Sequence, residues 1–253
     1  MKIAVSGKGG VGKTTVAANL VHCFVKRGSQ VYAVDADPDA SLGLALGLDP
    51  AKLEQVRPLI EMKELIAEKN AGGGAFVSLN PKVDDVLEDF SLKEGSLRFL
   101  RMGGVKQGGS ACYCKENSFL NSVLTTLFLE GDDAVVMDMS AGIEHLTRGT
   151  SRGVDLLLVV TEPTQVSLKT AKIVMQLAAD LGIEKIRVLG NKIRLPEEEA
   201  FLKKNLDSDL IVGTVPFSDK VLARALEENN TLFSEGDLLP GMEEIFTKLL
   251  GGE

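Results

Sequence analysis

The stretch Ser6-Gly7-Lys8-Gly9-Gly10-Val11-Gly12-Lys13-Thr14-Thr15 constrains this chain more than any other. It follows a short apolar strand, Lys2-Ile3-Ala4-Val5, and precedes a segment in which Val16, Leu20, Phe24 and Val25 make one helical stripe. The spacing predicts a helix over residues 14–27, ended by Gly28 in the left-handed position where helices commonly stop. Gly7, four residues, then Gly12-Lys13-Thr14 satisfy the phosphate-loop pattern. Glycines let the backbone wrap a polyphosphate so that several N–H groups face the anion, and the following helix adds its own donors and positive dipole end. Lys13 is expected to neutralise β- and γ-phosphate charge, and Thr14 to offer a hydroxyl to Mg²⁺. Gly7, Lys8, Gly9, Gly10, Val11, Gly12, Lys13, Thr14 and Thr15 are thus the predicted nucleotide-binding loop, and a nucleoside triphosphate its ligand.

Further apolar runs end in polar residues, which is the pattern of parallel strands delivering side chains to one edge of a sheet. Val31-Tyr32-Ala33-Val34 leads into Asp35-Ala36-Asp37-Pro38-Asp39, where Pro38 keeps Asp37 out of helical geometry. Ala134-Val135-Val136-Met137 leads into Asp138, expected to hold magnesium through water, and Gly142 follows with an N–H able to register a γ-phosphate. Ile186-Arg187-Val188-Leu189 leads into Gly190-Asn191-Lys192, and Asn191 carries the donor and acceptor that suit an adenine edge. Residues 154–160 and 210–217 supply two more strands, and Leu97–Met102 another. Strands alternating with helices predict an α/β, doubly wound, mainly parallel sheet with helices on both faces. We expect residues 1–253 to form a single domain. Pro58–Ile66 reads as a helix, residues 75–79 as an edge or antiparallel strand, and neither carries chemistry. Pro196-Glu197-Glu198-Glu199 with Lys203-Lys204 reads as a helix complementing its own dipole.

Charge and hydropathy narrow the partners. The net charge is −8 and no Lys/Arg block stands out, so no nucleic-acid partner is expected. No apolar run reaches about 18 residues, and because the loop begins at residue 7 no cleaved leader is expected. The C-terminal helix near residues 242–250 lacks basic amphipathic character, so no membrane partner is expected and the location is read as cytoplasmic.

The three cysteines are Cys23, Cys112 and Cys114. Cys23 and its neighbour His22 read as packing or surface residues of the first helix. The close pair Cys112-Tyr113-Cys114 follows Gly103, Gly104, Gly108 and Gly109, a glycine-rich segment near residues 103–114 suited to opening and closing. Two thiolates are soft ligands for Zn²⁺, Ni²⁺ or Cu⁺ but only half of a four-coordinate site, which two chains complete as Cys₄. Two incidental thiols and a redox dithiol remain alternatives, although the usual redox spacing is C-x-x-C.

Gly7-Lys8-Gly9-Gly10-Val11-Gly12-Lys13-Thr14-Thr15 resembles the deviant Walker A motif of the MinD, ParA, nitrogenase iron protein and arsenite-pump ATPases. The resemblance implies that Lys8, otherwise a solvated lysine, reaches across a dimer interface to the partner's nucleotide. A cation supplied in trans contributes roughly 10³–10⁵ in rate, or about 4–7 kcal/mol of barrier. It implies that Asp37 polarises the attacking water, that Asp35 is a nearby magnesium-site or switch-positioning residue, and that Lys8, Lys13, Asp37 and Asp138 form the catalytic set. Residues 144–150 resemble the second switch, with His145 an interfacial or capping residue. Asn191, Lys192, Val215 and Pro216 would frame the base of ATP. Within the superfamily, the C-x-C pair, Gly142-Ile143-Glu144-His145-Leu146 and the compact length most resemble the CooC-type maturation ATPases. That resemblance implies an ATP-driven homodimer that hydrolyses ATP with Mg²⁺, binds Ni²⁺ or Zn²⁺ through Cys112 and Cys114, and serves the carbon monoxide dehydrogenase apoenzyme. An iron–sulfur carrier or redox ATPase, and a positioning ATPase of the MinD or ParA kind, are the alternatives.

Overall fold

The structure, a computed structural model, describes residues 1–69, 83–103, 114–130, 133–143, 145–147, 149–224 and 238–251. Eight strands form one sheet: β1 (Lys2–Gly7), β2 (Val31–Ala36), β3 (Leu92–Glu94), β4 (Leu97–Arg101), β5 (Ala134–Met139), β6 (Leu156–Thr161), β7 (Ile186–Ile193) and β8 (Ile211–Pro216). Their order is β3-β4-β2-β5-β1-β6-β7-β8, with every neighbouring pair parallel except β3–β4. β1 therefore lies between β5 and β6, where the chain's winding direction reverses, and the loop leaving β1 opens into the crevice that such a reversal creates.

The continuous apolar runs follow from burial on both faces. In β1, β5 and β6 alternate residues divide between two cores. Ile3, Val5, Val136, Leu158 and Val160 pack with α1 (Lys13–Lys26) and α10 (Met242–Leu249). Ala4, Val135, Met137, Leu157 and Val159 pack with α6 (Cys114–Thr125) and α7 (Gln165–Asp180). α1 ends as its sequence predicts: Gly28 has φ 77°, its N–H donates to Val25 O, and Ser29 N donates to Phe24 O. The apolar face of α10 is spent inside the protein, where Phe246 meets Phe24 edge-on at 4.7 Å between ring centroids and Arg27 lies over the same ring. Among the described residues no helix is long and apolar enough to cross a membrane.

Two local readings change. The helix expected over residues 58–66 is a 3₁₀ turn, Leu59–Glu61, broken at Met62 and followed by α4 (Lys63–Lys69). The break is tertiary in origin: Leu59 is buried and Ile60 N donates to Met102 O, tying the segment to the end of β4. The stretch from 41 to 57 contains two single-turn helices, α2 (Leu42–Ala45) and α3 (Pro50–Leu53), the second capped by Asp49 and opened by Pro50. Gly190, Asn191 and Lys192 lie within β7 rather than after it, because β8 continues pairing as far as Ile193. α5 (Asp84–Phe90) and the antiparallel β3 complete that side of the sheet. α8 (Pro196–Asn205) has its three glutamates in the first turn and two lysines in the last, and α9 (Asp219–Arg224) follows β8. The strand expected at 75–79, and Cys112 with most of the glycine-rich segment, lie outside the described residues; Cys114 is the first residue of α6.

Candidate nucleotide-binding site

The loop leaving β1 turns on two glycines with positive φ, Gly10 at 83° and Gly12 at 93°. Successive residues of opposite hand aim backbone N–H groups into one concavity. Two close approaches demand glycine. A Cβ on Gly7 would stand 2.2 Å from Val160 O of β6, and one on Gly12 would stand 2.4 Å from Asn191 Nδ2. The loop opens on a cleft of about 540 Å³ lined by Gly9, Gly10, Lys13, Thr14, Asp37 and Ser140, among others. A second pocket of about 170 Å³ shares Gly12, Thr15 and Lys192 with it and is walled by Pro216, Phe217 and Leu222.

Parallel pairing sets two strand-end acids behind Thr14, which lines this cleft; both are buried and neither lines it. Asp35 of β2 and Asp138 of β5 are register partners, and Asp138 is also level with Val5 of β1. Asp138 Oδ2 accepts from Thr14 Oγ1 at 2.6 Å, and Thr14 Oγ1 is 3.3 Å from Ser41 Oγ. Asp35 Oδ2 accepts from Leu42 N at 2.9 Å, anchoring the start of α2. The other oxygens, Asp35 Oδ1 and Asp138 Oδ1, are buried and have no hydrogen-bond partner among the described residues. Burial pushes the Asp138 carboxyl up to about 7, partly opposed by the Thr14 hydrogen bond, and pushes Asp35 up to about 6 against its backbone donors. The Asp138 carboxylate beside the Thr14 hydroxyl, with Asp35 its register partner on β2, offers only oxygen donors, the ligand type that suits a small hard cation such as Mg²⁺.

Lys13 is only 8 % exposed, and its Nζ lies 3.5 Å from Asp37 Oδ2. Asp37 Oδ1 accepts from Asp39 N, and Ala40 closes the turn at φ 46° with its N–H on Asp37 O. Lys8 stays at the surface, its Nζ 3.5 Å from Gly9 O. Asn191 is buried and its amide donates to Val11 O at 2.8 Å, so that donor is committed to the loop. Lys192 Nζ donates to Gly10 O and pairs with Glu162. Val215 has no exposed surface and belongs to the α1-side core, whereas Pro216 and Phe217 face the smaller pocket, with the Arg194 guanidinium 3.7 Å from the Phe217 ring centroid. After Asp138, the chain turns through Ile143 at φ 48°, a costly conformation for a β-branched residue, while Ser6 Oγ holds Ser140 O at 2.8 Å. Glu144 and Arg148 lie outside the described residues.

Two participants are absent from the sequence reading. Ser41 sits one helical start beyond the Asp35–Asp39 turn and touches Thr14. Glu162 directly follows the apolar run of β6. The rule that singled out Asp35 and Asp138, an acid at the end of a buried strand, would have found Glu162 as well.

A β1–loop–α1 anion nest at the reversal point of a parallel sheet, with strand-end carboxylates opposite it, defines a P-loop nucleotide-binding protein. Residues 2–232 match the CobQ/CobB/MinD/ParA nucleotide binding domain, and the chain belongs to that family as a CooC-type member. It is 41 % identical to the ATP-binding protein MJ0823 of Methanocaldococcus jannaschii over 229 residues, covering 88 % of this chain and 87 % of the relative. It is 39 % identical to the carbon monoxide dehydrogenase accessory protein CooC of Rhodospirillum rubrum over 226 residues, covering 88 % and 86 %. Among solved structures, the cell division ATPase MinD of Pyrococcus furiosus shares the fold at TM-score 0.64 and 23 % identity, over 99 % of this chain and 96 % of that one. A ParA family ATPase from Chlorobium tepidum does so at 0.67 and 16 %, over 98 % of each.

Proposed function

We propose that this protein is an ATP-dependent metallochaperone ATPase, a single-domain subunit working as a homodimer in the maturation of carbon monoxide dehydrogenase. The observation that carries the reading is the 39 % identity to an accessory protein of that enzyme over 88 % of the chain, in a chain that also holds the C-x-C pair. ATP is supported as the nucleotide by the relative MJ0823, an ATP-binding protein by name, and by the apolar walls of the smaller pocket. Residues 7–15 bind the polyphosphate, with Lys13 on its β- and γ-oxygens. Phosphate there competes with Asp37 for Lys13, which leaves the Asp37 carboxylate freer to accept a hydrogen bond from the attacking water. Thr14, Asp35 and Asp138 would hold Mg²⁺, which when bound neutralises charge on the transferred phosphoryl group. Lys8, half-buried on the loop, reaches the partner subunit's phosphates, so turnover depends on dimerisation. Pro216, Phe217 and Lys192 frame the base. Cys112 and Cys114 from two subunits supply four thiolates to one Ni²⁺ or Zn²⁺, the cargo that hydrolysis releases for delivery.

The test is metal analysis across a sizing column, with and without ATP, in nickel and in zinc. The reading expects one metal per dimer, lost in Cys112→Ala and in Cys114→Ala while nucleotide binding survives. A mutant that retains one metal per dimer would remove the proposed ligand set. Visible absorbance with stoichiometric iron and sulfide would replace it with a cluster carrier.

A further inference from the structure

Two adjacent side chains of β7 reach consecutive carbonyls of the phosphate loop. Asn191 Nδ2 donates to Val11 O at 2.8 Å, and Lys192 Nζ donates to Gly10 O at 2.5 Å. Lys192 Nζ is also 2.6 Å from Glu162 Oε1, at the end of β6. The three side chains come from the strands beside and beyond β1, on the side away from Asp35 and Asp138.

An anion nest turns its N–H groups inward and therefore its carbonyls outward, where water or a side-chain donor can hold them, and only the side chain also restrains the loop's position. Gly9 and Gly10 have no side chains to hold them, and a Cβ at either would meet nothing within 4 Å. This segment is therefore the part of the loop with least packing of its own. Lys192 supplies the missing restraint, in a left-handed conformation, φ 61°, that is uncommon for a lysine. Such a conformation persists where surrounding contacts over-determine it. Glu162 is a second contact on the same ammonium, 2.6 Å from it, and with Gly10 O it fixes where the Lys192 side chain ends. We propose that Glu162 and Lys192 form a brace that holds the phosphate loop in its anion-binding shape, with Glu162 a positioning residue for the polyphosphate. The proposal rests on residues 7–15 being the polyphosphate site.

The sign of one substitution separates positioning from simple electrostatics. Glu162→Gln removes a negative charge near a site for an anion, which by Coulomb attraction alone tightens binding. A brace predicts the reverse. Calorimetric titration of the full chain with pyrophosphate, and with ADP, should show Glu162→Gln weakening both about tenfold, the low end for a charge-assisted hydrogen bond at a partly exposed pair. Lys192→Ala should weaken both at least as much. Lys192→Arg should recover most of the loss, and Glu162→Gln added to Lys192→Ala should cost nothing further. Glu162→Gln binding pyrophosphate as tightly as wild type, or more tightly, overturns the brace while leaving the loop's role intact. Wild-type protein that binds neither ligand, or a Lys13→Ala variant that binds both normally, overturns the polyphosphate site and the brace together.

Discussion

Lys13 Nζ stands 3.5 Å from Asp37 Oδ2, and both side chains are largely withdrawn from solvent. The cation at the heart of the phosphate loop is thus held by the carboxylate of the segment after β2. A phosphate entering the cleft would compete with Asp37 for the Lys13 ammonium. Under the proposed roles, phosphate binding therefore weakens the hold of Lys13 on Asp37.

This relationship gives Asp37→Asn an unusual profile. Removing the competing carboxylate should leave nucleotide affinity equal or improve it by a few-fold, while turnover falls by about 10²–10⁴, the usual share of a positioned acid or base. Fluorescent-nucleotide titration and phosphate-release assays on the same preparation measure both. Weaker binding with unchanged turnover would contradict the assignment.

Gly12 has no tolerance for a side chain. Alanine there is strained at φ 93° and collides with Asn191 Nδ2, which already holds Val11 O. Gly12→Ala should destabilise the nucleotide-free protein by about 2–3 kcal/mol, the sum of a left-handed alanine and a disrupted buried hydrogen bond. It should also abolish nucleotide binding. Denaturant melts and ADP titration test the two effects separately, and an unaltered melt would mean the loop relaxes more freely than its contacts imply.

Among the described residues the Lys8 side chain makes one weak contact, to the adjacent Gly9 carbonyl, so its loss should leave the fold untouched. Lys8→Ala is expected to bind nucleotide within about threefold of wild type, since exposed lysine contacts contribute little within one chain. ATP-driven dimerisation and turnover should both be lost. Light scattering with ATP, beside a binding isotherm, checks the split; a variant that dimerises and turns over normally excludes a lysine acting in trans.

Cys23 differs chemically from the C-x-C pair. It is 3 % exposed on α1, and burial together with the Glu243 carboxylate pushes its thiol up to about 11. The thiolate is the reactive and ligating form, so at pH 8 Cys23 should resist iodoacetamide until the protein unfolds. Cys23→Ala should leave metal stoichiometry unchanged. Mass spectrometry of alkylated peptides before and after denaturation reads this directly, and rapid native labelling of Cys23 would contradict the burial.

Some of this molecule was legible from one dimension. The motif from Gly7 to Thr14, the apolar runs, and the acids at their ends encode a parallel sheet and its ligand edge, because a two-sided sheet leaves few places for a carboxylate except the strand end. Local signals also placed Gly28, Pro196 and the glutamates of α8, where each residue acts on its own turn. The break at Met62 was not legible, since the force bending it is a hydrogen bond from Ile60 to a strand about forty residues away. Nor was the committed state of Asn191, whose donor and acceptor suit an adenine as well as they suit Val11 O.

The sequence by itself determined that this chain wraps a polyphosphate loop between a strand and a helix, and that carboxylates line the edge where it opens. Spacing, glycine content and hydrophobic period are local properties, and they suffice for that. Only the tertiary structure decided the partners: Thr14 with Asp138, Lys13 with Asp37, and Lys192 with Gly10 and Glu162. Those pairs join residues from 24 to 182 positions apart. They depend on strand order, which is set by how two faces of one sheet are covered at once and is written in no single stretch of the chain.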